Sequence, residues 1–292
     1  MSSKIVRTFR AILEIDRFWG LLLAIFVGLT LFFLILPTIL IILMSFGTSP
    51  FIEFPPRGLT LQWYAKYLGD ADWIGATLFS LRTAFATTVL ATTIGTLAAI
   101  ALVRGNLPGK SIIQALTLSP LVVPHVVIAI SIYLVFAPLG LTGNFFGFVI
   151  AHTMLAVPYV VITVSAALQR FDISLELAAL NCGASRARAF FSIVLPNILP
   201  GVTAGGVFAF LASFDEATIA FFISGIEGKP LTRKLFEDID FNLTPVIAAV
   251  STILAASSIL LMGAIHFSSR ERKQSNALIS LPSTSHTKGR MK

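Results

Sequence analysis

Polar and apolar positions along this chain are segregated into long blocks rather than mixed. No charge occurs from Phe18 to Ile52, from Thr83 to Val103, or over the 59 residues from Ser111 to Gln169. About 20 apolar residues cross a bilayer as one helix, so the first two blocks predict one span each, at about 20–45 and 80–103. The third is too long for one crossing. It divides at "PLGLTGN", Pro138–Asn144, whose Pro, Gly and Asn are turn formers, and so predicts spans at about 112–136 and 145–168. Two further apolar runs predict spans at about 198–223 and 243–266. The expected architecture is an all-α membrane protein of six transmembrane helices. It is bounded by an N-terminal tail over 1–19 and a disordered tail over 269–292 rich in Ser, Thr and Lys.

Composition agrees. Apolar residues make up 56% of the 292 and charged residues 12%, half the charge a soluble domain needs to cover its surface. The formal charge of +7 raises the question of nucleic acid, but its placement answers it. Fifteen of the 21 basic residues fall in the two tails, in the loop holding Arg104 and Lys110, and in the segment holding Arg170, Arg186 and Arg188. With six crossings these all lie on one face, which the positive-inside rule makes cytoplasmic. No nucleic-acid partner is expected. Residues 1–17 contain Glu14 and Asp16, and no small-residue cleavage site follows the first span, which reads as an uncleaved anchor. One cysteine, Cys182, excludes an internal disulfide.

Between the fourth and fifth spans lies an ordered polar-faced segment, 169–197, that is kept out of lipid. On a helix Leu175, Ala178, Ala179 and Cys182 form one stripe. Ser174, or Asp172 before it, is placed to cap the helix, and Glu176 lies in a first turn that favours an anion. Gly183 supplies a left-handed stop. Ser185 caps a second short helix with Phe190, Ile193 and Val194 on one face, which Pro196 ends. Two readings fit this pattern: a docking element, or an amphipathic connector lying on the membrane surface.

Here the residues resemble a family. "ELAALNCGAS" followed by "FFSIVLPNILPG" is similar to the EAA loop of ATP-binding-cassette importer permeases. Ala178 and Ala179 match the two alanines of its pattern, Gly183 the glycine, and Ile193, Leu195 and Pro196 the tail. The family's glutamate falls at Leu177, whereas this chain carries Glu176 one position earlier; in a helix capped by Ser174, leucine there forgoes a capping box. "FPPRGLTLQWY", "LSPLVVPHVV", "HTMLAVPYVV", "SFDEATIAFFISG" and "TPVIAAVSTIL" further resemble the spermidine/putrescine-type branch. The resemblance implies a non-enzymatic subunit of the inner membrane. A periplasmic solute-binding protein delivers solute, a second, homologous permease completes the path, and an ATPase dimer docks on Glu176, Ala178, Ala179, Gly183, Ala184, Ser185, Ile193, Leu195 and Pro196. No cofactor is expected in this chain, ATP being bound by the partner. The nearest thing to a phosphate loop, "GNLPGKS" at Gly105–Ser111, is one residue short and lies between two spans, so it reads as a turn with a topogenic lysine.

Asp215 and Glu216 interrupt the fifth span, and intramembrane carboxylates are costly unless they face a cavity or a partner. They are expected to line the substrate path for a small, polyamine-like organic cation, or to pair internally with a residue such as Arg82. His125 and His152 stand apart from other ligating residues, which favours packing or interhelical hydrogen bonding over a metal site. Trp63, Tyr64, Tyr67 and Trp73 fit an interfacial belt or a short periplasmic helix. Six spans also suit a secondary transporter or channel working without an ATPase, which has no use for an ordered EAA segment. An intramembrane hydrolase is disfavoured, since neither GxSxG nor HExxH occurs.

Overall fold

The structure, a computed structural model, describes residues 2–225, 228–241, 244–260 and 263. Among them every regular element is helical. Four helices are long and apolar enough to cross a membrane: Trp19–Met44, Ala71–Arg104, Phe145–Arg170 and Arg186–Phe214. The C-terminal tail expectation lies outside the described residues, as does the end of the sixth predicted span.

The chain forms two compact units. In the first (1–69 and 241–257) are α1 (Ser2–Met44), α2 (Gln62–Gly69) and most of α12 (Pro245–Leu260). Here α2 is the expected short helix, although Trp63 and Tyr67 are buried rather than displayed as a belt. The Trp63 indole donates to the Gly47 carbonyl at 2.7 Å, and the Tyr64 hydroxyl meets Ser45 Oγ at 2.7 Å.

The second unit (70–240, with the end of α12) holds the elements that build the site. Its centre is α3 (Ala71–Arg104), α6 (Phe145–Arg170) and α9 (Leu195–Phe214). Asp70 caps α3 by accepting from the Asp72 and Trp73 amides, and Asn144 caps α6 by accepting from Gly147. Ala91, Ala156, Val160, Val164, Ile198 and Ala209 fill the seam between the three helices. The helices approach closely because small residues stand where they cross. A Cβ on Gly205 would lie 2.5 Å from Thr163 Oγ1 and 3.0 Å from Val160 Cα. A second cluster joins α5 (His125–Phe136) to α10 (Thr218–Ile223), around Ile128, Phe148, Ile219 and Ile223.

Four boundaries differ from the sequence reading. The second span begins at Ala71, because the cap at Asp70 adds turns outside the charge-free run. The third, expected as one helix over 112–136, is a pair bent by 99°: α4 (Lys110–Leu118) with a 3-10 turn at Ser119–Leu121, then α5. Pro124, which has no amide hydrogen to continue the first helix, opens the second. The fifth, expected to run to 223, stops at Phe214 and resumes at Thr218. Pro196 does not end a helix. After α8 (Arg186–Ala189) the backbone widens into a π turn over Phe190–Val194, where the Leu195 amide donates to the Phe190 carbonyl, and continues straight into α9. The wide turn admits a proline that lacks the donor an α-turn requires, and the Asn197 side-chain amide bonds the Ile193 carbonyl at 2.7 Å.

Candidate functional site

The segment after α6 folds as two short helices around a tight bend. The first, α7 (Ile173–Asn181), is capped by Asp172, whose carboxylate accepts from the Ser174 amide at 2.9 Å. That bond holds the Asp172 carboxyl below its usual range. Ser174 is therefore inside the helix and not its cap, so position 177 is not the partner in a capping box. Leucine there forgoes nothing of that kind, and its side chain is exposed. The helix closes with Gly183 at φ +88°, the Gly183 amide donating to the Leu180 carbonyl and the Ala184 amide to Ala179. That pair of bonds is the Schellman stop. Ser185 then caps α8 by accepting from Arg188 at 3.3 Å.

The stripe anticipated from spacing is mostly open. Leu175, Ala178 and Cys182 are exposed and Ala179 is half-buried. At the bend a groove of about 330 Å³ is lined by Ala179, Gly183, Ala184, Arg188 and Ile193, among others. Leu195 is half-buried and Pro196 exposed just beyond the π turn. Glu176 instead turns inward, and its carboxylate meets the Arg104 guanidinium at 2.7 Å. The same guanidinium lies 5.3 Å from the centroid of Phe171. Sequence reasoning treated Arg104 only as a topological charge; the one signal that hinted otherwise was the displaced glutamate, off the open stripe.

The two acidic residues of the fifth predicted span are separated in role. Asp215 ends α9, with its amide bonded to the Leu211 carbonyl. Its side chain is exposed and has no ion pair or hydrogen bond among the described residues. Glu216 is 6% exposed: one oxygen accepts from the Ile219 amide at 2.9 Å, starting α10, and the other lies 3.4 Å from His125 Nδ1. Arg82 is not the internal partner. It is exposed and forms no ion pair among the described residues, while His125, brought alongside by the bend before α5, takes that place. His152 Nδ1 and Ser213 Oγ share a hydrogen bond of 2.8 Å between α6 and α9.

Beyond α10, the amphipathic α11 (Leu231–Phe241) lies along this end of the unit. Lys234 bridges Asp72 at 3.1 Å and Asp238 at 3.2 Å, and Arg233 sits 4.4 Å over the Phe221 ring. The Leu231 amide donates to Ser80 Oγ at 2.8 Å, and the Thr232 hydroxyl to the Glu216 carbonyl at 3.0 Å. "GNLPGKS" is the connection from α3 to α4, with Gly109 at φ +66° capping α4.

Residues 91–273 match the profile of the binding-protein-dependent transport system inner membrane component. The chain belongs to this family. It is a permease subunit of an ATP-driven importer, a multi-pass inner-membrane protein and not itself an enzyme, and the carrier or channel alternative falls with that finding. The spermidine/putrescine transport system permease protein PotC of Escherichia coli (strain K12) is 31% identical over 245 residues, covering 84% of this permease and 92% of that protein. The putrescine transport system permease protein PotI of the same strain is 31% identical over 250 residues, covering 83% and 89%. The fold is that of a bacterial transporter importing the acidic polysaccharide alginate, with a TM-score of 0.72 at 17% identity over 86% of this permease and 96% of that chain. A second structure of the alginate transporter, in complex with its periplasmic protein, matches with a TM-score of 0.64 at 15% identity over 87% and 94%.

Proposed function

We propose that this permease forms, with a second homologous permease chain, the path for a small polyamine-like organic cation delivered by a periplasmic solute-binding protein. A cytoplasmic ATPase dimer docks on the segment from Glu176 to Pro196. In this reading the chain crosses a bacterial cytoplasmic membrane six times with both termini inside. The four long helices, the bent pair α4–α5 and the apolar α12 supply the crossings, and the basic residues at the α3–α4 turn and in α8 mark the inner face. The EAA-like segment then lies between crossings four and five as a docking helix.

The observation that carries the substrate reading is Asp215. A carboxylate placed at a helix break inside an apolar bundle, exposed and unpaired while its neighbour Glu216 is locked to His125 and Ile219, is a site for a passing cation. The polyamine permeases among its relatives agree with a cationic solute. To test this, Asp215→Asn and Glu216→Gln would be made separately in the assembled importer, and complex yield and uptake of radiolabelled putrescine or spermidine measured in proteoliposomes. The expected result is normal yield with impaired uptake for Asp215→Asn, and reduced yield for Glu216→Gln. Unchanged uptake by Asp215→Asn across the concentration range sinks the path reading.

A further inference from the structure

We infer that Arg104 is a positioning residue for coupling: its ion pair with Glu176 fixes the docking helix α7 to the end of α3, and α3 carries the movement of α7 to the far end of the bundle. This rests on the docking role proposed for α7.

The pair is built to transmit force. Both side chains are about three-quarters buried, at 24% and 21% exposure, and the contact is a charge-assisted hydrogen bond of 2.7 Å. The Phe171 ring also lies against the guanidinium, so both a ring and a carboxylate hold Arg104. Glu176 lies 72 positions away in sequence, and Arg104 is the last residue of α3. α3 is a continuous helix of 34 residues with no proline inside it, roughly 51 Å long at 1.5 Å per residue.

Its opposite end is clamped as well. Asp72, in the first turn of α3, pairs with Lys234 of α11, Trp73 lies under the Lys234 ammonium at 5.4 Å, and Ser80 accepts from the Leu231 amide. From α11, Thr232 reaches the carbonyl of Glu216, next to the exposed Asp215. A continuous series of named polar contacts therefore joins the docking helix to the carboxylates, with one rigid helix as its long member. Such networks carry coupling when both ends are fixed to discrete elements. A parallel route exists through α8, the π turn and α9, which also ends at Asp215. A π turn is a place where a helix yields, whereas α3 has no such turn. The two routes make different demands on Arg104.

The test uses the complete importer, with its ATPase and binding protein, in proteoliposomes. ATP hydrolysis and solute uptake are read separately in Arg104→Gln, Arg104→Lys and the exchanged pair Arg104→Glu with Glu176→Arg. The ATPase is expected to stay bound in Arg104→Gln and to hydrolyse ATP at a rate within threefold of the parent, while solute moved per ATP falls about tenfold or more. The exchanged pair should recover that ratio to within threefold, and Arg104→Lys should recover part of it. A ratio unchanged in Arg104→Gln overturns the inference and leaves the π turn route. A ratio lowered in Arg104→Gln and not raised by the exchange in an assembled complex overturns it too. If Arg104→Gln does not assemble, the exchanged pair decides alone: assembly with a parental ratio supports the inference, and failure to assemble or a low ratio overturns it. Loss of ATPase binding in Gly183→Val, by contrast, bears on the docking reading and not on Arg104, so the two claims fail separately.

Discussion

Substitution of Gly183 tests the geometry of the docking element in isolation from packing. Its φ of +88° lies in the left-handed region, yet a Cβ built there meets nothing within 4 Å. The whole cost of a side chain is therefore in the backbone. For an unbranched residue that is about 1–2 kcal/mol, and for a β-branched one about 2–3 kcal/mol, with asparagine well below either. At about 1.4 kcal/mol per tenfold, Gly183→Ala lowers the population of the docking-ready bend by roughly fivefold to thirtyfold at most, and Gly183→Val by a further several-fold. Gly109 provides a matched control, being left-handed at φ +66° with open space around it, but in the α3–α4 turn. The assay is ATPase retention on the purified membrane complex, followed by uptake and hydrolysis in proteoliposomes. The expected order of loss is Asn, then Ala, then Val at position 183, with Gly109→Val retaining the ATPase. Normal transport by Gly183→Val, or equal loss by Gly109→Val, refutes the reasoning that this bend sets the docking geometry.

Other outcomes follow from the same contacts. Gly205→Val drives two methyls into Thr163 and Val160 at the α6–α9 crossing, which costs about 1–3 kcal/mol of overpacking and should lower the melting temperature of the purified permease. Unaltered thermal stability would count against the close approach. The Asp172 carboxyl is held down by the Ser174 amide, so its contribution to α7 is present above the unfolded value and is lost as pH falls through the lower folded value. ATPase retention limited by this cap should then be flat from neutral pH down to the ordinary carboxylate range. Over that range Asp172→Ala should weaken retention while Asp172→Asn preserves it; equal behaviour of the two removes the cap from the account. The purified permease should neither bind nor hydrolyse ATP, since Gly105–Ser111 forms a turn into α4 and no strand precedes it; nucleotide binding measured by equilibrium dialysis would reverse that assignment.

The sequence by itself determined the solvent and the composition of the elements. Charge-free blocks place helices in lipid because an unsatisfied backbone has no alternative there, and the grouping of Lys and Arg orders the loops. It also determined the bend at Gly183, since local rules at a helix end involve only neighbouring residues. What it could not decide was set by contacts distant in the chain. Pro124 is compatible with a kinked span or a broken one, and packing of α5 against α10 selects the break. Pro196 looks like a stop in a list of propensities, but a π turn together with the Asn197 amide carries the helix past it. Adjacent carboxylates at 215 and 216 are equivalent in sequence. They part only because the chain leaves α9 at that point, burying Glu216 against His125 and the Ile219 amide and leaving Asp215 open. Arg104 and Glu176, 72 positions apart, become partners through the tertiary fold alone. The cost of burying a charge is paired off in space, and one-dimensional pattern carries no record of which residues will be neighbours there.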